Sequence, residues 1–350
     1  MRLHRCLITL CLVLVVFPDA SAKQPPQKPT PLALITNWGG DSVSLINIEE
    51  GKELATIAVC LKPYDVQVEK NGRFAYVSCS GSDSIAVIDI QAMLERKDRR
   101  IKVGESPRDI DLTEDGSRAV TANAGSNTIS VVDLIQGKEV YTVAVGTIPY
   151  GVALTNHDKW AVITCWGSNK VQLVELGPSA GKVLATFDVG SLPYTAIVPN
   201  HSDYALVTCF GSDAVYPINL KTRTVGKPLT VGRSPWGLSS SPDGTLAIVA
   251  NYYSGDASVL TVVKPAGSSP IGASASPIRE RARIPLASPI GAGEVAGRAK
   301  NAAFTADARM ALVTNLGNNE VFVIDVEANR VTKTIKVGQA PYGVAFIPRT

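Results

Sequence analysis

The chain has 350 residues, 45% of them hydrophobic and 19% charged, with 34 Lys and Arg against 31 Asp and Glu. This is ordinary globular composition, with length for one large domain or two small ones. So small a positive excess excludes a dedicated nucleic-acid binder, which needs a strongly basic surface, and leaves nucleic acid an unlikely partner.

The N-terminus reads as a targeting segment. "MRLHR" is a basic start, "CLITLCLVLVVF" an apolar core, and "PDASA" ends in a small-x-small site after Ala22. Residues 1–22 are therefore expected to be a secretory signal peptide, too short to persist as an anchor, followed by a linker at 23–32. Cys11 does not follow a small residue, which argues against a lipoprotein site. No later run approaches membrane-spanning length, so the expectation is an exported, soluble chain in the periplasm or outside the cell. Cys60, Cys79, Cys165 and Cys209 survive processing, and an even count in an exported protein permits disulfides.

From Ala33 onward the chain repeats. "ALITNWGGDSVSLINI" begins at Ala33, "AYVSCSGSDSIAVIDI" at Ala75 and "AVTANAGSNTISVVDL" at Ala119. "AVITCWGSNKVQLVEL" begins at Ala161, "ALVTCFGSDAVYPINL" at Ala205, "AIVANYYSGDASVLTV" at Ala247 and "ALVTNLGNNEVFVIDV" at Ala311. After each copy comes a second motif of the form V-G-x-x-P-aromatic: "VCLKPY", "VGESPR", "VGTIPY", "VGSLPY", "VGRSPW", the degenerate "VAGRAK" and "VGQAPY". Pro63, Pro107, Pro149, Pro193 and Pro235 are spaced 44, 42, 44 and 42 residues apart. Ala299 takes the proline position 64 residues later, and Pro341 follows after 42, so the sixth copy carries an insertion, placed at about 264–293.

Within each copy, runs of five to seven β-branched residues alternate with Gly, Asn and Asp turns. "RDIDLT", "RAVTAN", "TISVVDL" and "EVYTVAV" show the pattern of four strands. Seven such units predict an all-β, seven-bladed β-propeller of four-stranded antiparallel blades spanning 33–350. The domain begins in a second strand and ends in a first strand, about Tyr342 to Ile347. The C-terminal strand is therefore expected to join the N-terminal blade and close the ring.

"YVSCSGSDSIAVID", "LVTNLGNNEVFVID" and "KVGQAPYGVAF" resemble the YVTN, or YncE-like, family of propeller repeats across about residues 31–350. The resemblance implies the seven-bladed fold and frequent export. It assigns no activity, because related propellers include lactonases and cofactor-bearing oxidoreductase domains.

Two loop types should share one face of such a propeller. After the proline position stand Tyr64, Arg108, Tyr150, Tyr194, Trp236, Lys300 and Tyr342, expected to ring the channel mouth. After the Asn/Cys position, Trp38, Trp166, Phe210 and Tyr252 should lie around the same face. Amphipathic aromatics supply contact area at low entropic cost, so this is the expected binding face. Arg108, Arg233 and Lys300 tilt it toward an anionic partner.

Cys79, Cys165 and Cys209 occupy the place of Asn37, Asn123, Asn251 and Asn315, where Asn can bond the following turn. They read as small apolar substitutes, with no nearby His to activate a thiolate. A Cys60–Cys79 disulfide remains open. His157 and His201 fall in turns on the opposite face, and no zinc pattern is present. Asp89, Asp133 and Asp325, with Glu175, Asn47 and Asn219 in the same place, read as caps of their own turns. The insertion, rich in Pro, Gly, Ala and Ser, reads as a loop with "RERAR" as a basic spot. No metal or cofactor is predicted. The favoured reading is a non-catalytic scaffold binding a protein, envelope component or small ligand. The alternative is a lactonase-like or cofactor-dependent propeller enzyme, which needs convergent acids or a bound group.

Overall fold

The computed structural model describes residues 31–155, 157–263, 276–286 and 298–348. Residues 1–22, expected to be a signal peptide, and residues 23–30 of the expected linker lie outside the described residues.

Seven antiparallel sheets stand around a central axis. Blade 1 is built from Pro341–Phe346, Leu32–Asn37, Ser42–Asn47 and Lys52–Ala58, from the axis outward. The innermost strands of blades 2 to 7 are Pro63–Val68, Pro107–Leu112, Pro149–Leu154, Pro193–Ile197, Pro235–Ser240 and Ala299–Phe304. The ring closes as the phase of the repeats predicts: Ala33 pairs with Phe346, Leu34 with Ala345 and Ile35 with Val344. That pairing ties the two ends of the repeat array together and leaves no open edge at the seam.

The outermost strands of blades 2 and 5 are split, the former into Leu94–Glu95 and Ile101–Lys102. In blade 6 the outermost strand is Ile278–Pro285, inside the span read as insertion. Ile278 and Ile284, each 1% exposed, anchor its two ends in the clusters on either side of the blade, while "RERAR" runs between them along the outer edge. Residues 264–275 and 287–297 lie outside the described residues.

The core is divided. Seven apolar clusters lie one at each interface between successive blades. Leu34 and Val43 of blade 1, for example, meet Val66 and Val77 of blade 2. Each fully buried Val, Leu or Ile stabilises by about 1.5–3 kcal/mol. A single blade has no such partner, so the blades hold together only as a ring.

A repeated polar contact ties each blade to the next. An αL residue ends the turn between second and third strands, and its side chain accepts a backbone N–H from the next linker. Asp41 Oδ1 takes Lys62 N (2.8 Å), Asp83 takes Ser106 N (2.8 Å), and Asp213 takes Ser234 N (2.7 Å). Asn127, Asn169 and Asn319 repeat the contact. The turn acids behave as expected: Asp89, Asp133 and Asp325 accept the N–H groups two or three residues on, as do Asn47 and Asn219. Glu175 departs from this and pairs with Lys182.

The buried Asn residues also depart from the reading of their sequence. They bond side chains of the third strand more than the following turn: Asn37 Nδ2 donates to Ser42 Oγ and Ser44 Oγ, and Asn123 Nδ2 to Thr128 Oγ1 and Ser130 Oγ. Only Asn315 also accepts from the turn, at Gly317 N.

Candidate functional site

The hydroxyl just before the Asn/Cys position locks the innermost strands in blades 1, 2, 4, 5 and 7. Thr208 Oγ1 accepts Thr195 N (3.0 Å) of its own blade and donates to the Trp236 carbonyl (2.8 Å) of the next. Thr314 Oγ1 does the same between Asn301 N (3.0 Å) and the Tyr342 carbonyl (2.7 Å). The bridge spans a bulge in each innermost strand and fixes the residue after the proline position against the axis.

The side chains so fixed close the channel rather than ring an opening. The Tyr64 and Tyr194 hydroxyls, from blades 2 and 5, hydrogen-bond to each other. Tyr150 stacks on Tyr194 at 4.6 Å between centroids, Tyr194 on Trp236 at 4.1 Å, and Tyr64 on Tyr342 at 4.9 Å. Arg108 lies over Tyr64 and Tyr150. The second set packs on the first: Trp38 on Tyr342, Trp166 on Tyr150, and Phe210 and Tyr252 on Trp236, at 5.2–5.8 Å. The two circles of residues therefore form one aromatic lid. Of its inner members Tyr64 and Tyr194 are buried, at 7% and 5% exposure, while Arg108, Tyr150, Trp236 and Tyr342 are half-buried.

Lys300 takes a place different from the one its sequence suggests. It is 3% exposed, so it adds no open positive charge to the face. Its Nζ lies 3.0 Å from the Trp236 centroid and 4.6 Å from those of Tyr252 and Tyr342. Burial first, then Arg298 and Arg108, push its pKa down to about 6.

Beneath the lid is a cavity of about 400 Å³ along the axis. Three carboxyls converge in it. Asp65 and Asp109 hold the same position in the innermost strands of blades 2 and 3, and Asp111 stands two residues beyond Asp109. Asp65 and Asp109 hydrogen-bond to each other, and Asn301 Nδ2 donates to Asp65 Oδ1 (3.4 Å). Asp109 Oδ2 accepts Val152 N (3.0 Å), and Asp111 Oδ2 accepts Leu154 N (2.8 Å).

Burial lifts Asp65 to about 6 and Asp111 to about 7. Burial and the adjacent Asp65 charge hold Asp109 well above the carboxylate range. Near neutrality Asp111 is thus close to half-ionised, and Asp109 is the carboxyl of the adjacent pair that burial and the Asp65 charge incline most to keep a proton. Carboxyls poised this way can both take and give protons near neutrality. The sequence carries a signal for this cluster in the residue after the aromatic position. The position carries Gly in three copies ("PYG", "PWG") and Asp only in "PYD" and "PRD".

The far end of the channel opens toward a groove of about 1040 Å³ on the opposite face, and cavity and groove share Asp111, Leu154 and Val198. His157 and His201 sit in this groove in the turns between first and second strands. Among the described residues, no group of three or more His, Cys, Asp or Glu is arranged to hold a metal ion. Cys165 and Cys209 are buried free thiols, pushed up by burial to about 11 and about 12, so they are protonated and inert at neutral pH. Cys60 and Cys79 form a disulfide, with Cα atoms 5.7 Å apart, linking the loop that leaves blade 1 to the second strand of blade 2.

Fold and site together define a seven-bladed β-propeller whose axial channel is lidded at one end and carries a carboxyl cluster. The family model "Lactonase, 7-bladed beta-propeller" matches residues 55–139, the end of blade 1, all of blade 2 and most of blade 3. Asp65, Asp109 and Asp111 all fall in that segment. Similar solved structures include a functionally unknown protein from Desulfotomaculum acetoxidans DSM 771 (14% identity, TM-score 0.77, covering 91% of this chain and 99% of that one). A Bacteroides fragilis protein proposed to be a 6-phosphogluconolactonase aligns at 16% identity and TM-score 0.71, over 93% of this chain and all of its own. Hydrazine synthase of Kuenenia stuttgartiensis aligns at 21% identity and TM-score 0.70, over 89% and 99%. At these identities the likeness is one of fold. No curated protein matches the chain significantly.

Proposed function

We propose that this protein is a propeller hydrolase that opens small lactones in its central channel. The observation that carries the reading is the convergence of Asp65, Asp109 and Asp111 in the axial cavity, inside the segment that matches the lactonase model. Hydrolysis of a cyclic ester needs a base for the attacking water and an acid for the departing ring oxygen. Ionised Asp65 or Asp111 suits the first role and protonated Asp109 the second. Water adds to the carbonyl carbon as the carboxylate takes its proton. The ring C–O bond then breaks as Asp109 protonates the alkoxide, and a hydroxy acid leaves. The lid keeps bulk water from one end, which strengthens these charge interactions. The reading includes export, supported by the signal-like N-terminus and the Cys60–Cys79 disulfide. It also includes kinship with YVTN-type propellers, supported by the repeat motifs.

The test is hydrolysis of a panel of γ- and δ-lactones, sugar lactones included, followed by pH titration. Asp109→Asn and Asp111→Asn should each lower kcat about 10²–10⁴-fold, the usual worth of general acid–base catalysis. No rate above buffer for any lactone with folded protein, or full activity in the double variant, rejects the proposal.

A second reading keeps the aromatic face as a binding surface. Its support is the outer layer of the lid, where half-buried Trp38, Trp166 and Phe210 stand beside exposed Leu61, Tyr253 and Arg233. An apolar patch edged by cations suits an anionic protein or envelope partner.

A further inference from the structure

The carboxyl cluster leaves one buried reactive group unused. Among the described residues Lys300 is the only buried lysine, and none of them forms an ion pair with it. It follows Ala299 where the other copies have proline, and the ring position is otherwise Tyr, Trp or Arg. Its side chain lines the 400 Å³ cavity from the lid side. The charged groups that bear on it are both cations: Arg298, two residues before it, and Arg108 from the innermost strand of blade 3. The titratable groups on the other elements against it are Tyr252 and Tyr342, whose hydroxyls burial pushes further up, so they stay neutral.

From this geometry we infer that Lys300 is a nucleophilic amine that captures small aldehydes or ketones in the channel as an imine. The site does not draw on the carboxyl cluster and stands whether or not lactones are hydrolysed. A lysine desolvated in a cavity and flanked by like charge is the arrangement that frees an amine for Schiff-base chemistry. The lone pair of Nζ adds to the carbonyl carbon, and a proton passes from nitrogen to oxygen to give a carbinolamine. Loss of water then forms the C=N bond, and hydrolysis reverses it, with no net oxidation or reduction. The ring faces of Trp236, Tyr252 and Tyr342 favour the ammonium, so they limit the fall in basicity rather than cause it. Burial and the two arginines set its direction.

The full-length protein treated with acetaldehyde and cyanoborohydride at pH 6.5 should gain an ethyl group on Lys300 before any other lysine. An exposed lysine is neutral in only about one molecule in 10⁴ at that pH, so peptide mass mapping should show labelling of Lys300 faster by at least about tenfold. The labelling rate should rise with pH to a plateau around neutrality. Lys300→Arg should abolish the fast phase, and Asp111→Asn should keep it. Label that accumulates on exposed lysines such as Lys52, Lys97 and Lys138 while Lys300 stays unmodified in folded protein overturns the inference. A fast phase that survives Lys300→Arg does so equally.

Discussion

Replacing Asp111 by Asn should stabilise the protein in alkaline solution while damaging its activity. Both oxygens of Asp111 accept backbone amides, from Leu112 at 2.9 Å and Leu154 at 2.8 Å, yet burial lifts its pKa to about 7. In the unfolded chain an aspartate titrates near 3.9. The folded state therefore binds the proton more tightly than the unfolded chain. Its contribution to stability is complete below pH about 4 and is lost as the pH rises to about 7. At about 1.4 kcal/mol per pH unit, the ionised carboxylate costs the folded state about 4 kcal/mol above that window. Asparagine cannot ionise and keeps one acceptor oxygen, so it gives up one hydrogen bond of about 1 kcal/mol. The variant should be less stable than the parent by about 1 kcal/mol at pH 3, about equal to it at pH 4.5, and more stable by about 3 kcal/mol at pH 8.5. Urea unfolding followed by tryptophan fluorescence at pH 3 and pH 8.5 reads the difference directly. A difference that does not change between them refutes the claim that burial governs this carboxyl.

Other consequences follow from the same structure. The Cys60–Cys79 bond closes a loop with sequence separation 19, so reduction or Cys60→Ser should lower stability by about 3 kcal/mol, seen as a fall in Tm under reducing conditions. Asp213→Ala removes the Ser234 contact and puts a residue with no polar side chain at φ 52, costing about 2 kcal/mol, whereas Asp213→Gly should cost about 1, since glycine accepts that backbone; equal losses by thermal unfolding would count against a conformational part. Cys165 and Cys209 should resist a thiol reagent such as DTNB at pH 8 until urea unfolds the chain, and rapid labelling of native protein would show that the blades open locally.

Much of the fold was legible because a propeller repeats its chemistry in register. Seven copies average out local irregularities, and the turn-capping Asp and Asn residues and the closing strand follow from repeat position. The candidate site was legible only in part. The aromatics were found because they recur, and they do gather at one channel mouth. Whether such side chains leave an opening depends on the distance between innermost strands, and that distance lets Tyr64 of blade 2 reach Tyr194 of blade 5. Asp65 and Asp109 break the repeat and lie 44 residues apart along the chain, so periodicity does not reveal their meeting. Lys300 reads as surface charge in the sequence because nothing in "VAGRAK" shows that three aromatic rings enclose it.

The sequence by itself determined the number of blades, the strands of each and the closure of the ring, because these depend on local turn chemistry and on a hydrophobic pattern repeated at fixed period. Tertiary structure alone decided the chemistry of the channel. Ring closure brings carboxyls from successive blades into one desolvated cavity and buries a lysine under the lid, and a side chain's proton affinity follows from the neighbours and the water it has lost.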